Sequence, residues 1–207
     1  MTDLDGLWLR ALEDVSKRAA HEVKDALNGV SLNLEVIRSR TSTAAPGAER
    51  AGGGTASRLT PFVAAAGDQL ELVVARTEAL LFLARSASEP CDVALTLRHL
   101  ASLMVPAIKS DGGQLTVEGC SGAILTTAQA QATRLALAAG LLALARNGAG
   151  SAVRCRLEQG SDTVVRFSHE SAVSCNLDAA VASAIARHGI RNEVSGTDLI
   201  LRFPGHF

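Results

Sequence analysis

Aromatic side chains are scarce in this 207-residue chain, with five Phe, one Trp and no Tyr. That argues against nucleic-acid modules that stack bases on aromatic faces. Charge bias is missing as well: 20 Lys and Arg stand against 21 Asp and Glu, a formal charge of −1. Such a balance offers no electrostatic footprint for DNA or an anionic membrane. No apolar run approaches the roughly 20 residues that span a bilayer. The amino terminus, Met1-Thr-Asp-Leu-Asp, is acidic and does not read as a secretory signal. These absences predict a soluble, cytoplasmic protein with neither nucleic acid nor membrane among its partners. Cys91, Cys120, Cys155 and Cys175 contain no Cys-x-x-Cys pair, and His99, His169, His188 and His206 make no ligand-spaced cluster with them. Neither a disulfide framework nor a zinc site is expected, and the thiols are read as buried or inert.

What is present is a globular composition, 47% hydrophobic and 20% charged, long enough for one large domain or two small ones. Residues 4–40 read as one long helix, with Leu12, Val15, Ala19, Val23, Ala26, Val30, Asn33 and Ile37 recurring at steps of three and four. The stretch Thr41-Ser-Thr-Ala-Ala-Pro-Gly-Ala-Glu-Arg-Ala-Gly-Gly-Gly-Thr buries nothing, and a flexible loop is predicted over about 41–59. Thr60-Pro61 is a helix start signal. A second seam follows it through Val63, Ala66, Leu70, Val73, Thr77, Leu80 and Ala84. Two such helices form an antiparallel hairpin with more apolar seam than the pair can hide. Homodimerisation into a four-helix bundle is the economical solution. Trp8 falls on the seam side and is expected in the dimer core.

From residue 91 the texture changes. Helices are predicted over 92–110, with Pro106 bending or dividing the segment, over 128–146, and over 177–188 with Gly189 as the stop. Strand candidates are 114–118, 123–126, 152–158, 163–168, 190–194 and 198–203. Gln159-Gly160-Ser161-Asp162 and Ser195-Gly196-Thr197 serve as hairpin turns. The expected fold class is α+β. A dimerising helical hairpin over 1–88 precedes a two-layer α/β sandwich over 91–207.

One segment carries chemistry: Arg18-Ala-Ala-His-Glu-Val-Lys-Asp-Ala-Leu-Asn-Gly-Val. At 100° per residue, His21 falls roughly 190° from the apolar direction of the first helix, so it points outward. Asp25, Asn28 and Leu32 follow on the same face at successive turns. Taken alone, a His-Glu dipeptide on a surface helix is an ordinary solvated pair. With its surroundings, the segment His21-Glu22-Val23-Lys24-Asp25-Ala26-Leu27 resembles the phosphoacceptor box of two-component sensor histidine kinases, His-Glu-Leu-Arg-Asn-Pro-Leu. The resemblance extends in element order through Leu80-Leu-Phe-Leu-Ala-Arg, then Glu89-Pro90-Cys-Asp-Val, then Leu95-Thr-Leu-Arg-His-Leu.

The resemblance implies a phosphoacceptor role for His21, with Glu22 orienting the ring or acting as base. It also implies receiver contacts from Lys24, Asp25, Asn28 and Leu32. Asp25 stands where the kinases carry Asn or Thr. The nucleotide motifs of that family are missing. Its Asn-Leu-Leu-x-Asn-Ala pattern aligns with Gly140-Leu-Leu-Ala-Leu144-Ala, and the expected adenine-binding Asp and Gly are replaced by Ser168-His-Glu-Ser-Ala-Val-Ser-Cys-Asn-Leu-Asp. No lid and no glycine-rich phosphate loop is left. A phosphoacceptor hairpin beside a degenerate ATPase-like domain resembles a dimeric histidine phosphotransferase that relays phosphoryl groups between response-regulator receiver domains. No cofactor or metal is expected on this chain, since the receiver brings the magnesium. Two alternatives stand beside this one: a non-catalytic pseudokinase scaffold or inhibitor that binds a response regulator or kinase, and a divergent active kinase.

Overall fold

Two long helices open the chain in a computed structural model that describes residues 4–42, 52–85, 90–147, 150–170 and 175–205. Helix α1 runs Leu4–Ser42 and α2 runs Gly52–Ala84. Both reach into the expected loop, whose middle, residues 43–51, lies outside the described residues. Helix α2 starts ahead of Thr60-Pro61 and carries Pro61 in its interior. A proline there removes one backbone hydrogen bond and does not by itself end a helix whose flanking turns are formed.

The remaining elements are β1 (Cys91–Asp92), α3 (Val93–Ser110), β2 (Gln114–Glu118), β3 (Leu125–Thr126), α4 (Ala130–Asn147), β4 (Ala152–Gln159), β5 (Asp162–His169), α5 (Ala179–Ala186), β6 (Arg191–Ser195) and β7 (Asp198–Pro204). The main sheet has the order β2-β4-β5-β7-β6, with β2 parallel to β4 and the other neighbours antiparallel. Helices followed by this mixed sheet make the chain α+β. Helix α3 runs through Pro106 without dividing. Among the described residues, no helix is long and apolar enough to cross a membrane.

The chain forms two compact units, Met1–Ala19 with Ala79–Phe207, and Ala20–Glu78. In the first, Val153, Cys155, Leu157, Val165, Phe167, Leu199, Leu201 and Phe203 alternate onto the inner face of the sheet and are buried with the apolar faces of α3 and α4. The outer face is polar: Arg154, Arg166 and Arg202 pair with Glu118, Asp198 and Glu193, and Arg191 pairs with Asp162. Leu7, Trp8, Ala11, Val15 and Ala19 of α1 belong to the same buried cluster. Trp8 is 6% exposed within a single chain, so its cover is this unit rather than the dimer seam expected for it. The apolar steps of α1 serve two different surfaces along one helix, which a single periodic pattern does not reveal.

Two polar groups order the first unit. Asp92 caps α3, its Oδ1 accepting from Leu95 N at 3.1 Å and from Ile124 N at 3.2 Å, which ties β3 to the helix start. Arg134 of α4 is buried and donates to carbonyls at the end of α2 and just beyond it: Phe82 O at 3.2 Å, Leu83 O at 3.1 Å and Arg85 O at 2.7 Å. These acceptors have no partner within the helix, and a cation suits the negative end of its dipole.

In the second unit Glu22 meets Arg76 and Asn33 meets Gln69. Ascending positions on α1 meet descending ones on α2, so the pair is antiparallel. Gly29 permits the close approach: a Cβ there would lie 2.2 Å from Gln69 Nε2.

Candidate functional site

Helix geometry builds the site around His21. At about 100° per residue, His21, Asp25, Asn28 and Leu32 lie within about 60° of one another, on the side away from Ala19 and Val30, which are buried. The His21 side chain is 79% exposed and that of Asp25 62%, with His21 Nδ1 3.7 Å from Asp25 Oδ2. Lys24 and Asn28 are exposed, and Leu32 presents 64% of its surface. Four of the residues singled out from sequence thus share one open face, with Lys24 at its margin.

Glu22 points elsewhere. Its Oε2 accepts from Arg76 Nη1 at 3.3 Å; the Arg76 side chain is 8% exposed and that of Glu22 31%. A buried guanidinium needs a paired acceptor, since desolvating an unpaired charge is costly. Arg76 went unnoticed in the sequence, although a signal exists. The inward stripe of α2 runs Phe62, Ala66, Gln69, Val73, Arg76, Leu80 and Leu83, a strict four-three repeat with polar members at 69 and 76. Polar residues in a helical seam find partners and fix register, as Gln69 does with Asn33 and Arg76 with Glu22. The seam expected through Val63 and Leu70 is instead 56% and 48% exposed at those positions.

Among the described residues, His99 stacks on Phe82 with ring centroids 4.4 Å apart and His169 is buried at the end of β5, while His188 lies just after α5. Burial pushes the Cys155 thiol up. The Cys175 thiol is pushed up to about 11 by burial, against a hydrogen bond with Asn147 that lowers it. Burial also raises Cys120, with Arg98 opposing. All are poor nucleophiles at neutral pH. Among the described residues, no group of three or more His, Cys, Asp or Glu is placed to hold a metal ion.

The two helix positions aligned with the kinase asparagines face inward. A Cβ on Gly140 would stand 2.7 Å from the Phe167 ring, and Leu144 is fully buried. Near them, a cavity of about 230 Å³ opens among Leu7, Ala11, Leu135, Leu142, Arg146 and Asn176. Arg146 at its rim pairs with Asp14 at 3.6 Å.

No family model and no curated protein matches this chain. Among solved structures it is similar to the cytoplasmic segment of histidine kinase QseC (17% identity, TM-score 0.44, covering 65% of this chain and 92% of that one). It is also similar to the Acinetobacter baumannii histidine kinase AdeS (12% identity, TM-score 0.43, 90% and 98% covered). A third is the histidine kinase domain of a blue-light activated kinase from Erythrobacter litoralis (14% identity, TM-score 0.44, 93% and 94% covered).

Proposed function

We propose that this chain is a histidine phosphotransfer protein of two-component signalling. In this reading His21 takes a phosphoryl group from the aspartyl phosphate of one response-regulator receiver domain and gives it to the aspartate of another, without binding ATP. The observation that carries it is the 79% exposure of His21 on an open helical face with Asp25, Asn28 and Leu32. A neutral imidazole carries one nucleophilic ring nitrogen, and the open face leaves it accessible. The ring nitrogen attacks phosphorus in line, the N–P bond forms as the bond to the aspartyl oxygen breaks, and the receiver's carboxylate leaves. Magnesium belongs to the receiver. Leu32 offers the receiver apolar surface, while Lys24 and Asn28 offer donors. Glu22, adjacent in sequence, is held by Arg76 of α2 instead of by the histidine.

Two further observations support the reading. Leu27, Leu34, Val63, Leu70 and Val74 are 46%, 55%, 56%, 48% and 55% exposed. Leu27 and Leu34 project about 220–240° around α1 from His21. A second copy of the chain covers this stripe in a four-helix bundle and leaves His21 open. Gly140 and Leu144, turned toward Phe167 and the core, offer no polar group to a magnesium nucleotide.

Incubation with phosphorylated receivers in the absence of ATP tests the proposal. Label is expected on wild type and absent from His21→Ala, with the oligomeric state unchanged. Label on His21 from ATP alone would mark an active kinase. A receiver that binds but never transfers would mark a scaffold or inhibitor.

A further inference from the structure

Two carboxylates flank His21, and the structure gives them different partners. Glu22 is adjacent in sequence, but about 100° around the helix separates the two side chains. Its carboxylate faces α2, where Arg76 Nη1 holds Oε2 at 3.3 Å. Arg76 is a buried cation, so releasing Glu22 toward the open face would strand that charge. Asp25 lies one turn after His21 on the same face, its Oδ2 3.7 Å from Nδ1. A small side-chain rotation brings the pair to hydrogen-bond distance.

We infer that Asp25, not Glu22, is the positioning residue that orients the His21 ring, and that Arg76 enforces this by holding Glu22 on the other side of the helix. The inference rests on the phosphotransfer reading and deepens it. A carboxylate at Nδ1 favours the tautomer with the proton on Nδ1, and the lone pair is then on Nε2, facing outward. When Nε2 attacks the aspartyl phosphate, the P–O bond pair returns to the receiver's carboxylate. The ring becomes an imidazolium, still protonated at Nδ1. Total charge is conserved, since one positive charge appears on His21 as one negative charge appears on the leaving carboxylate. Asp25 then sits beside the developing positive charge. That gives the aspartate at this position a chemical role in addition to receiver contact, and gives buried Arg76 a role beyond joining the helices.

The test uses the full-length chain and two readouts. Nitrogen-15 NMR of the neutral His21 ring reports its tautomer in the absence of any receiver. Single-turnover transfer from a phosphorylated receiver reports the chemical step separately from binding. Asp25→Asn is expected to shift the tautomer toward Nε2–H and slow the chemical step roughly tenfold or more, a loss larger than any change in receiver affinity. Glu22→Gln is expected to leave the tautomer as in wild type. In an Arg76→Met background the released Glu22 begins to influence the ring, so Glu22→Gln now shifts the tautomer; Arg76→Lys, which keeps a cation, behaves as wild type. An unchanged tautomer in Asp25→Asn overturns the inference, whatever Glu22→Gln does. Asp25 is exposed, and glutamine at position 22 keeps an oxygen acceptor for Arg76, so these two variants keep the fold even if Arg76→Met does not. Failure of the wild type to accept phosphate from any receiver would refute the phosphotransfer reading and leave the tautomer measurement standing on its own.

Discussion

Replacing Trp8, the only tryptophan, with alanine separates two ways of burying the start of α1. Trp8 is 6% exposed within one chain and shares a buried cluster with the α/β core. An indole removes about 150–250 Å² from water, worth about 4–6 kcal/mol at roughly 25 cal/mol/Å². That figure is an upper bound, and large-to-small substitutions at such sites cost about 3–5 kcal/mol. Near the start of a helix the site can partly collapse, so about 3 kcal/mol is the expected loss. For a chain of this length that lowers Tm by about 6–12 °C. Tryptophan emission provides the independent check. Burial within the chain predicts a blue-shifted, poorly quenched emission that stays constant on dilution through the dissociation range of the proposed dimer. Emission that reddens in step with dissociation, or a Trp8→Ala variant within about 0.5 kcal/mol of wild type, would refute burial within the α/β unit.

Other outcomes follow from the same packing. Arg134→Met removes the donors to Phe82 O, Leu83 O and Arg85 O and should cost about 2–4 kcal/mol in a urea titration, with Arg134→Lys intermediate. Gly119 holds φ +80°, and a Cβ there would stand 2.0 Å from the Leu157 carbonyl oxygen. Gly119→Ala is therefore expected to cost at least about 2 kcal/mol, read from the same titration. The Cys175 thiol, pushed up to about 11 by burial, keeps its proton where the unfolded chain, near pKa 8.5, releases it. Its contribution to stability is full below about pH 8.5 and is lost as pH rises toward 11, which denaturation midpoints across that range should show. At neutral pH, Cys155 and Cys175 should react with a thiol reagent only after unfolding.

Much of the architecture was legible because it follows local chemistry. The strands β4 and β5 alternate buried with more open residues, and Gly-containing turns join the hairpins. His21, Asp25, Asn28 and Leu32 were legible as one face because helical angles alone place them together. The inward side of α2 was not. Its apolar residues make two stripes, and choosing Val63 and Leu70 over Phe62 and Gln69 required knowing that Asn33 and Glu22 await polar partners across the hairpin. Trp8 was misplaced because the amphipathic pattern of α1 does not say which surface each turn covers. Strand β1 has only two residues, and its pairing with β3 bridges a long sequence separation, beyond the reach of a periodic pattern.

The most direct test is to find where phosphate goes. The full-length chain, mixed with a receiver phosphorylated in advance and freed of ATP, would be digested under conditions that preserve phosphoramidates and sequenced by mass spectrometry. The expected result is phosphate on His21 alone, transferable onward to a second receiver and absent in His21→Ala. Phosphate on a different residue, or none from any receiver that binds the chain, would contradict the assignment of His21 as the relay.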